Sequence, residues 1–226
     1  MGSIWLIGGF FALIGMLVQG QLQRKFTKYS QIPFARGWSG KEVAEQMLRY
    51  YGIYDVQIVA GEGTLTDHYN PLTKTVQLSG DVYSGRSIAA AAVAAHECGH
   101  AVQHATAYSM LTMRSQLVPV VNIASTYQQY VMLGCFLLAS RFPDLLLVAI
   151  ALFSITTAFA LITLPVEFDA SRRALAWLDS SQTLQGEEYK GAKDALTWAA
   201  LTYVVAALAS VAQLVYLVMM YAGRRR

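Results

Sequence analysis

A short segment near the middle of the chain, His96-Glu97-Cys98-Gly99-His100, combines metal-ligating side chains with an acidic one. On an α-helix, residues four apart lie one above the other, so His96 and His100 can direct imidazole nitrogens at a single metal ion. Glu97 then lies beside the ion without binding it, where it can act as a general base and afterwards as a general acid. The alanine-rich run before His96 favours the helix that this geometry needs. The pattern is typical of a zinc site that supports hydrolysis.

A catalytic zinc site has three protein ligands, so a third ligand must come from elsewhere in the chain. His104 lies four residues beyond the motif, but on a straight helix it is about 12 Å from His96, too far for both to bind one ion. The remaining candidates are Glu167 and Asp169, which follow Pro165. We expect Pro165 to end an apolar segment and Glu167 to begin a new helix. Glu167 is then either the third ligand or a carboxylate that stabilises a helix start.

Four long segments without Asp, Glu, Lys or Arg predict membrane-spanning helices, because each exceeds the roughly 20 residues that a bilayer requires. They are residues 2–23, 115–140, 145–166 and 195–223. The second segment contains Asn122, Gln128 and Gln129. Its polar face is therefore expected to point toward other helices or a cavity, and a long buried helix of a soluble protein is the alternative for it.

The composition of the whole chain also favours a membrane protein. Of its 226 residues, 55% are hydrophobic and 14% are charged, whereas charged residues make up about 25% of soluble domains. The net charge of +3 is small and its basic residues are scattered, so we expect the lipid bilayer, and no nucleic acid, as a partner.

The spans divide the chain into five predicted parts. These are an N-terminal transmembrane anchor (1–23), a zincin-like domain (24–114), a transmembrane hairpin (115–166), a third-ligand helix and loop (167–194), and a C-terminal transmembrane helix with a basic tail (195–226). Because the hairpin returns the chain to the same side of the membrane, the two polar parts can meet. Lys and Arg near the membrane ends are more numerous on that side, which favours a cytoplasmic site, although Arg224, Arg225 and Arg226 lie on the other.

Local patterns predict both helices and strands in the larger polar part. Ser39 and Glu42 form a capping-box pattern, which predicts a helix from about residue 39 to 51 that Gly52 ends. Two β-rich runs, 56–59 and 75–78, predict a small sheet with a turn at 67–71. We therefore predict a mainly α-helical membrane protein, with four transmembrane helices and a small α+β zincin-like domain at one membrane face.

Two separate motifs and the order of the apolar segments connect this chain to a known family. The motifs are residues 87–103 around His96 and His100, and residues 164–173; the segment 67–71 adds to them. With them the chain resembles the YugP-like neutral zinc metallopeptidases of bacterial membranes, which are similar to wider membrane gluzincins such as HtpX and the CAAX prenyl endopeptidases. The resemblance implies a multi-pass peptidase of the bacterial plasma membrane, with one Zn²⁺ per chain and a peptide or protein substrate. It also implies that Glu167 is the third ligand.

One residue departs from the wider gluzincin pattern. Those proteins have an Asp four residues after the ligand Glu, where it supports a metal-binding His, and this chain has Ser171 there. A hydroxyl can accept an imidazole N–H without supplying charge, and Asp169 is an alternative for the role. Arg172 and Arg173 either hold the third ligand, stabilise an oxyanion or lie as cations at the membrane interface. His104 is a further candidate to stabilise the transition state.

Two other functions remain open at this point. A catalytically inert zinc scaffold predicts a closed site that recruits Asp169 or His104 as a fourth ligand. A transporter or channel would explain the polar residues of the second span. We favour the peptidase because Glu97 has no role in either alternative. The chain could also act as a homo-oligomer or with a regulatory membrane partner.

Overall fold

The computed structural model describes residues 2–63, 66–138, 142 and 144–224, and this part of the chain is mainly helical. Its elements, in chain order, are α1 (Gly2–Ser30), α2 (Gly40–Tyr50), β1 (Gln57–Gly61), β2 (His68–Asn70), β3 (Thr75–Ser79), α3 (Gly80–Tyr83), α4 (Ile88–Ala105), α5 (Ser109–Leu138), α6 (Leu145–Ser180) and α7 (Gly186–Arg224). They form two compact units. Unit 1 contains the described residues of 1–18, 113–164 and 202–226, and unit 2 contains those of 19–112 and 165–201.

Three helices of the described chain are long and apolar enough to cross a membrane. They are Leu6–Ser30 in α1, Leu145–Ser180 in α6 and Gly186–Gly223 in α7. The prediction of apolar helices is thus confirmed at three of the four places. The fourth, α5, is not among them, since its polar side chains lower its hydropathy, and its crossing of the membrane stays a prediction. Residues 139 and 140 of that predicted span, and 225 and 226 of the predicted basic tail, lie outside the described residues.

Two polar side chains of α5, Gln128 and Gln129, contact another helix or line a cavity within unit 1. The Thr156 hydroxyl of α6 donates to Gln128 Oε1 over 2.9 Å. Gln128 and Gln129 also line a cavity of about 690 Å³ whose walls are otherwise mostly apolar. The predicted orientation toward a helix or a cavity is therefore confirmed for Gln128 and Gln129, whereas Asn122 is exposed.

Helix α6 runs without interruption through Pro165. The prediction that this proline ends the span, and that Glu167 begins a new helix, is wrong. Proline removes one helical hydrogen bond and disfavours a continued helix. Here burial outweighs that cost, because a stripe of side chains spaced four residues apart continues beyond the proline and is completely buried. It consists of Val166, Ala170, Ala174 and Leu178.

Helix α2 begins at the predicted capping box. The Ser39 Oγ accepts from the Glu42 amide over 3.2 Å, and the Glu42 carboxylate accepts from the Ser39 amide over 2.6 Å. Beyond the end of the helix, Gly52 adopts a φ of +69°, a left-handed conformation that glycine accepts without strain. The apolar side of α2, including Val43 and Met47, is fully buried in the core of unit 2.

The sheet has the order β1-β3-β2, with β1 parallel and β2 antiparallel to β3. The two predicted strands are confirmed. The turn predicted at 67–71 is wrong, because residues 68–70 form β2 and the turn covers residues 71–74. Asn70 starts this turn, since its Oδ1 accepts from the Leu72 amide over 2.9 Å. Asp67 instead binds the end of β3, where its Oδ1 accepts from the Ser79 amide over 2.8 Å.

Candidate metal centre

Three side chains from two helices of unit 2 converge on one point. His96 and His100 lie on α4, and Glu167 lies on α6. The Glu167 Oε2 is 3.3 Å from His96 Nε2 and 3.6 Å from His100 Nε2. All three ligand atoms lie within 4.8 Å of one another. The structure thus brings together the three residues that the sequence and the resemblance single out as zinc ligands.

The chemistry of this group fits a zinc ion. Two imidazole nitrogens and a carboxylate oxygen are a donor set that zinc accepts in catalytic sites. Ligand atoms on a tetrahedral zinc, with bonds of about 2.0–2.1 Å, are about 3.3 Å apart, close to the separations of Glu167 from His96 and His100. The Glu167 side chain is only 3% exposed. A buried carboxylate is costly without a positive partner, and a cation bound between Glu167 and the two imidazole nitrogens would supply one.

Glu97 lies on α4 between the two histidines and is buried. The pKa of the Glu97 carboxyl is raised to about 7, chiefly by burial; His96 lowers this pKa and the nearby Glu167 carboxylate raises it. A general base that must also release its proton works best with a pKa near the working pH. Glu97 therefore has the properties of a proton carrier.

Hydrogen bonds on the far side of each imidazole hold the two rings. Ser171 Oγ is 3.1 Å from His96 Nδ1, so the hydroxyl contacts one of the two candidate ligand histidines. Asp169 does not take that position. Its carboxylate accepts from Arg173 Nε over 2.5 Å and from Arg172, so these two arginines neutralise Asp169.

Gln103 is a residue of the site that sequence reasoning missed. Its side chain is completely buried, and its Oε1 lies 3.0 Å from His100 Nδ1. Its Nε2 donates to the Val166 carbonyl over 2.8 Å and to Asp169 Oδ2 over 3.0 Å. The sequence carried a signal for this contact. Gln103 lies three residues after His100 on the predicted helix, and residues three apart on a helix are neighbours.

His104 lies on the last turn of α4 and contacts β2. Its Nδ1 is 2.7 Å from the Tyr69 hydroxyl. Within the described ranges, the ligand group contains neither His104 nor Asp169. The geometric argument against His104 as a ligand is therefore supported, and the residues that a closed four-ligand site would recruit are engaged elsewhere.

The two helices that carry the candidate ligands, α4 and α6, approach closely at Gly99. A Cβ atom on Gly99 would lie 2.5 Å from the Ala170 carbonyl oxygen of α6. Such a distance is far shorter than a van der Waals contact, so any larger residue must displace one backbone from the other. Glycine at this position therefore sets the separation of His96 and His100 from Glu167.

Gly99→Ala is expected to weaken zinc binding by roughly 10- to 100-fold, the range that follows loss of support for a ligand. The added methyl group pushes α6, and Glu167 with it, away from the imidazoles. Competition with a chromophoric chelator measures the affinity. Gly80→Ala is the matched control, because a Cβ there meets no atom within 4 Å. Equal zinc affinity in Gly99→Ala and the control would show that this close approach does not set the ligand geometry.

Comparisons with known proteins identify the family of this chain. A family model described as "Putative neutral zinc metallopeptidase" matches residues 4–222. A protein of Bacillus subtilis (strain 168) described as "Putative membrane protease YugP" is 44% identical over 207 residues, which cover 92% of this chain and 91% of the relative. No solved structure matches the chain. The match over nearly the whole chain, together with this relative, shows that the chain belongs to the neutral zinc metallopeptidase family.

Proposed function

We propose that this chain is a membrane-embedded zinc endopeptidase that hydrolyses peptide bonds of membrane-proximal proteins or peptides. The observation that carries the proposal is the convergence of His96, His100 and Glu167 in one buried group, with Glu97 beside it. A three-ligand group leaves a coordination position for water or substrate, as catalytic zinc sites require.

His96 and His100 would hold one zinc ion through Nε2, and Glu167 would hold it through a carboxylate oxygen. When bound, zinc lowers the pKa of water and polarises the scissile carbonyl. Glu97 accepts a proton from the attacking water and then donates it to the leaving amine. Because burial raises the pKa of Glu97 to about 7, both transfers are feasible near neutral pH. Ser171 keeps the His96 ring oriented through Nδ1.

The position of Glu167 supports substrates close to the membrane. This ligand lies on the same uninterrupted helix as the candidate span that begins at Leu145. We propose a multi-pass arrangement in which α1, α5, α6 and α7 cross the bilayer. In this arrangement unit 2 is a zincin-like domain at the cytoplasmic face, the side favoured by the distribution of Lys and Arg.

A catalytically inert zinc scaffold is less well supported. Such a scaffold needs a fourth ligand to close its site. Asp169 is held by Arg172 and Arg173, and His104 contacts Tyr69. A scaffold also gives no reason to bury Glu97 next to the ligands, where its charged form is costly.

Removal and return of the metal tests the proposal. Full-length protein purified in detergent is assayed on casein and on a library of fluorogenic peptides, before and after treatment with 1,10-phenanthroline. We expect chelation to abolish cleavage and added Zn²⁺ to restore it, whereas the non-chelating 1,7-phenanthroline leaves cleavage unchanged. Protein that binds zinc but cleaves no substrate, with or without lipid, would favour the inert scaffold.

A further inference from the structure

Every hydrogen-bonding atom of the Gln103 side chain has a partner within unit 2. The amide is completely buried and contacts His100, the Val166 carbonyl and Asp169. A buried amide left without partners is destabilising, because each unpaired group loses its hydrogen bonds to water without replacement. Glutamine therefore suits this position because it offers two donors and one acceptor in this arrangement.

The partners of Gln103 determine which way its amide faces. A carbonyl and a carboxylate both accept hydrogen bonds, so the nitrogen must face Val166 and Asp169. The oxygen then faces His100 and accepts from its Nδ1–H. That hydrogen bond puts the imidazole proton on Nδ1 and leaves the Nε2 lone pair directed toward Glu167. Gln103 thus selects the tautomer that can bind a metal.

The nitrogen of the Gln103 amide donates to Asp169, a carboxylate whose charge is neutralised by two arginines. Asp169 is 5% exposed, and Arg172 and Arg173 both donate to it. Because Val166 and Asp169 flank the ligand Glu167 on α6, the Gln103 amide joins the helix of the imidazoles to the helix of the carboxylate. The bridge lies one helical turn from the close contact between Gly99 and Ala170.

We propose that Gln103 is a positioning residue that fixes the tautomer of His100 and the register of α4 against α6 for metal binding. The role rests on the proposed zinc site. In this arrangement Asp169 acts on His100 through the Gln103 amide, while the hydroxyl of Ser171 supports His96 directly. The two histidines are thus held differently: a neutral hydroxyl supports His96, and an amide that is hydrogen-bonded to the Asp169 carboxylate supports His100.

Gln103→Met tests this role, because methionine has a similar volume and makes none of the three hydrogen bonds. The probe is Co²⁺, whose visible absorption reports the coordination of a site that binds zinc. We expect the full-length variant in detergent to bind Co²⁺ about 10- to 100-fold more weakly than wild type, the usual effect of losing an outer partner of a ligand. We also expect its absorption bands to change.

Val102→Ala is the matched control for a loss of packing alone. Val102 is the buried neighbour of Gln103 on α4 and belongs to the apolar core of unit 2. This variant should lower the melting temperature while keeping the Co²⁺ affinity and spectrum of wild type. Weaker Co²⁺ binding by Val102→Ala equal to that of Gln103→Met would assign the effect to packing and overturn the proposal.

A second variant keeps the test decisive even if Gln103→Met does not fold. Gln103→Glu keeps an oxygen that accepts from His100 but turns its other oxygen toward the Val166 carbonyl and Asp169, which are both acceptors. It is therefore expected to weaken Co²⁺ binding by about 10- to 100-fold as well.

The outcomes separate this role from the proposed function. Wild-type affinity and spectrum in Gln103→Met or in Gln103→Glu would overturn the positioning role while the zinc site stands. A wild-type protein that binds neither Co²⁺ nor Zn²⁺ would overturn the proposed function and the positioning role with it.

Discussion

Replacement of Glu97 by glutamine is expected to lower peptide cleavage by about 10²- to 10⁴-fold, the contribution of a general acid–base group, while one zinc per chain stays bound. Glutamine has nearly the same shape as glutamate but cannot accept and release a proton. Glu97 is also outside the three-residue ligand group of the described chain. The binding of zinc and the transfer of protons should therefore separate in this variant.

Cleavage rates of a fluorogenic peptide and zinc content by plasma mass spectrometry measure the two effects. Glu45→Gln is the matched control, since Glu45 is exposed on α2 and pairs with Lys41. It should retain both cleavage and zinc. A Glu97→Gln variant that cleaves at the wild-type rate would remove Glu97 from the mechanism, and one that loses zinc would make it a ligand.

Glu167→Ala is expected to lose both zinc and cleavage. The substitution removes one of the three proposed ligands and leaves only the imidazoles of His96 and His100, so the loss of zinc affinity should exceed the 10- to 100-fold range for outer partners. It also takes away the negative charge that a buried divalent cation needs close by.

Zinc affinity by chelator competition, with cleavage measured on the same samples, tests this result. Asp179→Ala provides the control, because Asp179 is an exposed carboxylate on the same helix, α6. It should behave as wild type in both measurements. Full zinc binding by Glu167→Ala would mean that another group supplies the third ligand.

The features of the site that depend on local sequence were predictable. The spacing of His96 and His100 and the capping box of Ser39 and Glu42 operate within one or two helical turns, so the pattern alone determines the geometry. The third ligand is 67 residues from His100; the residues alone left Glu167 and Asp169 as candidates, and the resemblance to a family singled out Glu167. Convergence of such distant residues depends on helix packing, which a spacing rule cannot supply.

The wrong prediction at Pro165 and the omission of Gln103 both arise from tertiary packing. The local signal of Pro165 favours the end of a helix, but burial of the stripe that follows it outweighs that signal. The role of Gln103 depends on the close approach of Gly99 to Ala170, which brings Asp169 within reach of the amide. Neither contact can be read from a sequence pattern, because both are set by tertiary packing.

Zinc K-edge X-ray absorption of the purified wild-type protein tests the central claim most directly, because it reports the atoms bound to the metal. If His96, His100 and Glu167 hold zinc, the spectrum will show two imidazole nitrogens and oxygen donors at about 2.0–2.1 Å. Sulfur scattering at about 2.3 Å, which would come from a cysteine such as the buried Cys98, or a spectrum without imidazole, would contradict the claim.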